Sequence, residues 1–357
     1  MPTHVRSHSK INLGLHIGPP RPDGFHGLST LYQTLALHDI LTISARRLPT
    51  GEPSRISLTT NHPQVPTDSR NTVWKIVERV LTQTGLALEI GIHIQKELPV
   101  QGGMGAGSAN AAAALLGLEK ELGVKLSGSD RLRIAAEVGS DVPLFLIGGA
   151  VLGSNRGEVV TPMRDLPPAP CVVAIPEVGV STPRAFQEWD GLCAEKANES
   201  GGLTRPAQPD RLEQLSHVYA SVLGVSPTAE QASESSGIVH DLVPERNQGG
   251  SSEPKSLKDL AGNPLLALVR TGIENDFEQV VFPQYPLLRE YKHLLMGSSE
   301  TGAIYAALSG SGSALFGLYR NEEDAKAAQQ RVQASGCKAL LTETLPRSEY
   351  WRTMFAE

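Results

Sequence analysis

Apolar and polar positions alternate along residues 10–17 (KINLGLHI), the two-residue period of a half-buried strand. The turn-rich segment GPPRPDGFHG follows, and LYQTLALHDILTISA then resumes the strand pattern, so residues 3–46 predict strands around a turn. Over residues 71–85 the period changes. Val73, Ile76, Val77 and Val80 fall at helical spacing, with Gly85 placed as a C-cap. Residues 88–98 alternate again as a strand. An Ala- and Leu-rich run, AAAALLGLEKEL, predicts a helix, and SGSDRLRIAAEV predicts another behind an S-x-x-D cap. The apolar run DVPLFLIGGAVLGS reads as a buried strand pair. Strands and helices mix here without regular βαβ alternation, which makes the fold class α+β.

The pattern lapses between about residues 190 and 262. NESGGLTRPAQP, SPTAEQASESSG and PERNQGGSSEPKS are small, polar and rich in Pro and Gly, the composition of a loop or partly disordered insertion with few core contacts. Within it, DRLEQLSHVYASVLG places Leu212, Leu215, Val218 and Val222 on one helical face behind a D-x-x-E cap. Beyond it the chain predicts helices over residues 264–280 and 284–296. Strand–loop–strand through IYAALSGSGSALFGLY and an amphipathic helix over residues 322–335 complete the pattern.

Composition narrows the function. At 357 residues, 40% hydrophobic and 20% charged, the chain can bury a large core, and its length fits about two domains. A net charge of −6 argues against a nucleic-acid partner. The longest nearly uncharged apolar stretch, residues 142–153, is well short of the ~20 residues a membrane span needs. The first residues lack the apolar centre of a secretory signal, and three distant cysteines do not form a disulfide framework. The expected location is the cytoplasm.

The strongest chemical signal is PVQGGMGAGSANAAA. Gly102, Gly103, Gly105 and Gly107 fall within six positions, between a predicted strand and a predicted helix. Glycines allow close approach of backbone N–H groups to an anion, and the helix start adds free donors and a partial positive charge. Ser108 stands ready to cap that helix or to face a phosphate or metal. A tight strand-to-helix turn with a small-residue packing face would use the same residues. No Gly-Lys-Ser/Thr follows and no complete G-x-G-x-x-G is present, so a phosphate loop of another kind remains.

Together with SKINLGLHI and RPDGFH upstream and LSGSGSALFGLY downstream, this loop resembles the three signature motifs of the GHMP kinases. Within that superfamily the chain is most similar to the branch acting on a cytidyl diphosphate-linked methylerythritol. DSRNTV, GSDVPLFLIGGAVLG, STPRAF and ENDFEQVVFPQYP support that match. The resemblance covers roughly residues 6–189 and 263–345. There are departures: Ala106 stands where a glycine is usual, Ala109 where a second serine is common, Phe25 for a tyrosine, and Ser140 for an alanine.

The resemblance implies a two-lobed GHMP kinase fold, with an N-terminal ribosomal-protein-S5-like lobe over residues 1–160 and a C-terminal ferredoxin-like lobe over residues 161–357. It implies transfer of the ATP γ-phosphoryl group to a tertiary alcohol in the non-mevalonate isoprenoid precursor pathway. By the same match, Asp141 is the catalytic base, and Lys10 the fixed cation that keeps it ionised and draws the hydroxyl toward alkoxide. The ATP site would comprise Asn71 and Lys96 beside the adenine, Pro99, Gly102, Gly103, Met104 and Gly105, and then Ala106, Gly107, Ser108 and Ala109. Asn12, His26, Thr182, Gly310 and Gly312 match acceptor-contacting positions. Phe25 and Phe186 match a pair that stacks on cytosine. Magnesium is expected to arrive with ATP, with Ser108 a candidate protein ligand. His4 and His8 lack a third ligand and make no metal site. Two other functions compete: another GHMP kinase of homoserine or mevalonate type, against which RPDGFH and STPRAF speak, and a non-catalytic nucleotide-binding protein, against which Lys10 and Asp141 speak.

Overall fold

The computed structural model describes residues 1–49, 51–100, 102–199, 211–224, 264–298 and 301–356. Two sheets stand back to back between helices. The first has seven strands: β1 (Thr3–Pro20), β2 (His26–Arg47), β3 (Arg55–Thr60), β4 (Leu88–Gln95), β5 (Ala150–Ser154), β6 (Val159–Pro162) and β11 (Phe355–Ala356). β1 and β2 form one long antiparallel hairpin. β2 is shared along its length, pairing β5 through residues 30–33 and β4 through residues 40–47. β3 runs parallel to β4. The second sheet, ordered β10 (Lys338–Glu343), β7 (Pro170–Ile175), β9 (Leu315–Leu318) and β8 (Tyr305–Leu308), is antiparallel throughout.

Helices α1 (Thr72–Thr84), α2 (Ala106–Leu122) and α3 (Gly128–Val138) cover the outer face of the first sheet, where Val73, Ile76 and Val77 meet Ile43, Ile92 and Ile94. The helices at Pro286–Met296 and Glu322–Ala334 pack against the second sheet. A third cluster joins the lobes: Ile11, Leu13 and Leu31 pack with Val173, Phe316 and Leu318. Caps follow the predicted chemistry. Asn71 Oδ1 accepts from Val73 N, Gly85 ends α1 at φ 65°, and Ser127 accepts from Asp130 N.

β1 is buried on both faces, which its alternation does not predict. Ile11 and Leu13 enter the core between the lobes, while Lys10 and Asn12 are equally buried and line a cleft. The polar half of the alternation faces a site, not solvent.

Three expectations are corrected. Residues 141–154 do not form a strand pair. Pro143–Leu146 is a 3₁₀ turn, and Gly148 and Gly149, both at positive φ, turn the chain into β5. A short apolar run does not distinguish these two outcomes by period. The helix expected over residues 264–280 is two, Pro264–Arg270 and Glu278–Gln284, broken at Gly272 (φ 75°). Between them Glu274 O accepts from Leu15 N, and Asp276 N donates to Leu15 O.

The supposed insertion is not a detachable loop over its described parts. Helix α4 (Thr182–Glu199) runs through its expected start. Helix α5 (Arg211–Leu223) buries Tyr219 and Leu223 in the cluster that joins the lobes. The remaining stretches, residues 200–210 and 225–263, lie outside the described residues.

Candidate active site

The glycine loop closes on the second lobe. Gly103 has φ 75°, and a Cβ there would stand 2.1 Å from Ser309 O. Only a glycine lets this turn approach so closely. Gly103 O accepts from Ser309 Oγ at 3.0 Å and from Lys10 Nζ at 2.8 Å, and Gly102 O accepts from Ala314 N. Asn275 steadies the opposite turn by donating Nδ2 to Gly310 O and Leu308 O. Gly105, at φ 70°, is the N-cap of α2, and a Cβ there would press on Lys10 Cε and Phe145 Cζ at 3.0–3.1 Å. Ala109 N already bonds Gly105 O. The N–H groups of Ala106, Gly107 and Ser108 precede it at the open end of the helix, an anion-binding arrangement.

Two clefts meet at Gly103 and Gly105, which line both. The smaller, about 360 Å³, is bounded by Asn71, Lys96, Pro99 and the run from Gly102 to Ser108. The larger, about 650 Å³, holds Lys10, Asn12, Phe25, His26, Asp141, Thr182, Phe186 and Gly310. That volume suits a small-molecule ligand.

At the junction, Lys10 Nζ donates to Asn12 Oδ1 at 2.7 Å and stands 3.4 Å from Asp141 Oδ2. Tyr32 donates its hydroxyl to the other carboxylate oxygen at 2.9 Å. Burial, reinforced by the Asp141 charge, pushes the Tyr32 phenol well above its usual pKa, so it remains a neutral donor. Asp141 itself sits on the turn entering the 3₁₀ segment and is about one-third exposed, open to the larger cleft.

In that cleft, His26 Nε2 lies 2.8 Å from Asp190 Oδ1 and must donate to it, because an ionised carboxylate only accepts. The imidazole stacks on Phe186 at 4.8 Å, and Phe277 meets Phe186 edge-on. Phe25 is half exposed on the opposite loop with the Arg156 guanidinium over its ring. Thr182 Oγ1 bonds Ser311 Oγ at 2.7 Å within the second lobe.

Some expected contacts are already engaged elsewhere. Lys96 reaches the smaller cleft, but its ammonium is paired with buried Asp39 at 2.7 Å, and burial lowers its pKa against that pull. Asn71 spends its side chain on capping α1 and on Pro66 O. Ala109 turns into the core, and Gly312 packs on Leu308 away from either cleft. Tyr32, Arg156, Asp190 and Asn275 join the site without having been singled out in the sequence. For Asn275 the signal was present in ENDF.

Among the described residues, no group of three or more His, Cys, Asp or Glu stands at metal-holding distance, and no helix is long and apolar enough to cross a membrane.

Comparison with known proteins agrees with this geometry. The model of the GHMP kinases N terminal domain matches residues 71–149, and that of the GHMP kinases C terminal matches residues 258–338. The chain is 32% identical over 353 residues to a 4-diphosphocytidyl-2-C-methyl-D-erythritol kinase from a Synechococcus species, covering 98% of this chain and 92% of that one. A kinase of the same name from Caldicellulosiruptor saccharolyticus is 28% identical over 95% of this chain and 96% of its own. Among solved structures, a 4-(cytidine 5'-diphospho)-2C-methyl-D-erythritol kinase superposes with a TM-score of 0.62 at 25% identity, covering 96% of this chain and 99% of that one.

Proposed function

This chain belongs to the 4-diphosphocytidyl-2-C-methyl-D-erythritol kinases, within the GHMP kinases, and on that premise we propose that it transfers the ATP γ-phosphoryl group to the 2-hydroxyl of 4-diphosphocytidyl-2-C-methyl-D-erythritol, a step of non-mevalonate isoprenoid precursor synthesis. The observation that carries this reading is the meeting of two clefts at Gly103 and Gly105, beside Lys10 and Asp141. ATP takes the smaller cleft, its phosphates on the glycine loop and the start of α2. The cytidyl substrate takes the larger, with its base at Phe25, His26 and Phe186.

The acceptor hydroxyl oxygen attacks the γ-phosphorus as the bond to the β,γ-bridging oxygen breaks, and ADP leaves. The hydroxyl proton passes to Asp141. Lys10 places a fixed cation beside Asp141 and beside the developing alkoxide, where a preorganised charge counts most. Asn12 and Gly103 O hold that ammonium in place. Magnesium fits this donor set as a companion of ATP: with no carboxylate cage among the described residues, phosphate and water oxygens would hold it, with the Ser108 hydroxyl as a protein ligand. Bound there, it would neutralise phosphate charge.

The test is Asp141→Asn, which keeps size and removes the base. kcat falls by about 10²–10⁴ with ATP affinity little changed. A kcat within a few-fold of the parent would remove Asp141 from this role. Lys10→Ala loses kcat as well, and the double variant loses less than the sum of the two if they act as a unit.

A further inference from the structure

We propose that Arg156 is the anion-binding residue of the larger cleft, taking the diphosphate of a nucleoside diphosphate-linked acceptor. The inference rests on the reading that this cleft accepts the cytidyl substrate.

A diphosphate is multiply charged, and a cleft that takes one needs a cation with donors to spare. Among the described residues lining this cleft, the lysine and arginine side chains are Lys10 and Arg156. The three donors of Lys10 are committed to Asn12 Oδ1, Gly103 O and the Asp141 carboxylate. Arg156 is differently placed. It sits on the tight turn between β5 and β6, where Asn155 (φ 63°) and Gly157 (φ 99°) both take left-handed backbone.

Glu158 fixes this turn. Its carboxylate accepts from Arg156 N at 2.8 Å, from Arg156 Nε at 3.4 Å and from Asn155 Nδ2. The guanidinium carbon lies 4.9 Å from the centre of the Phe25 ring. Among the described residues the two terminal amines have no hydrogen-bond partner. A fork held by its Nε edge and by an aromatic face, with both terminal amines free, is a preorganised phosphate ligand. Its position over Phe25 puts the charge beside the surface on which the base would lie.

The test compares CDP with cytidine by calorimetry on the full chain and on Arg156→Met, with melting temperatures measured in parallel. The ratio of the two affinities is the readout. The parent binds CDP at least about tenfold tighter than cytidine, the size of one lost charged hydrogen bond. In Arg156→Met that preference disappears while ATP affinity is retained, and Arg156→Lys recovers part of it as a point charge without the fork. A variant that keeps the full CDP preference overturns the inference. So does one that weakens CDP and cytidine equally, since Arg156 would then only support Phe25. A parent that binds neither overturns the cytidyl reading of the cleft, and the inference with it.

Discussion

Tyr32 donates its phenolic hydrogen to Oδ1 of Asp141 at 2.9 Å, leaving Oδ2 as the oxygen that faces Lys10. The two oxygens of the proposed base therefore have separate duties, one anchored and one presented. Tyr32 is 2% exposed, and its ring also lies 5.6 Å from the Lys10 ammonium. It orients the base from a buried position at the wall of the larger cleft.

Tyr32→Phe should separate that role from packing. The ring stays, so the melting temperature changes little. Losing the hydrogen bond that orients Asp141 lowers kcat by about tenfold, the size of one hydrogen bond to a charged group. KM for both substrates stays near the parent. An unchanged kcat would leave Tyr32 a core residue only.

Helix α5 provides a stability prediction. Tyr219 is fully enclosed beside β1, and Leu223 is almost so. Tyr219→Ala should cost about 3–5 kcal/mol in denaturant unfolding, the range for emptying an aromatic site. A change below about 1 kcal/mol would mean that α5 rests loosely on the core, as the composition around it implies.

His8 predicts how stability depends on pH. It is buried across from His38 on the neighbouring strand, and burial, aided by the His38 charge, pushes its pKa down to about 3. The folded state thus resists protonation that the unfolded chain accepts near 6.5. The unfolded state binds the extra proton, so this stability is complete above about pH 6.5 and is lost as pH falls, by about 1.4 kcal/mol per unit. Unfolding curves between about pH 5 and 6 should approach that slope in the parent and be flatter in His8→Gln. Equal slopes would place the titrating group elsewhere.

What could be read in the sequence follows from where the chemistry repeats in linear motifs. Lys10 and Asn12 announce themselves in an alternating strand next to a turn, and the glycine loop is visible in its composition. Tyr32 does not stand out, because an aromatic residue among LYQTL is what any buried strand contains. Its role comes from a partner 109 positions away. Asp190 was hidden differently, since it begins the polar stretch that reads as insertion, yet α4 carries it to His26. Leu212, Leu215, Val218 and Val222 predicted a helix correctly. Tyr219 falls on that same face, at i+4 from Leu215, but that the face packs between the lobes depends on tertiary neighbours that no local pattern encodes. The run after Asp141 failed as a strand pair because length and hydrophobicity do not separate a 3₁₀ turn from a buried strand.

Selection of a cytidyl diphosphate acceptor by the larger cleft can be tested against the acceptors of other GHMP kinases. The most direct measurement is ADP release by the full chain with magnesium and ATP, offered 4-diphosphocytidyl-2-C-methyl-D-erythritol, homoserine or mevalonate in separate reactions. Turnover is expected with the first, giving a product phosphorylated at the 2-hydroxyl, and only background ATP hydrolysis with the other two. Phosphorylation of homoserine or mevalonate, with the cytidyl compound left untouched, would contradict it.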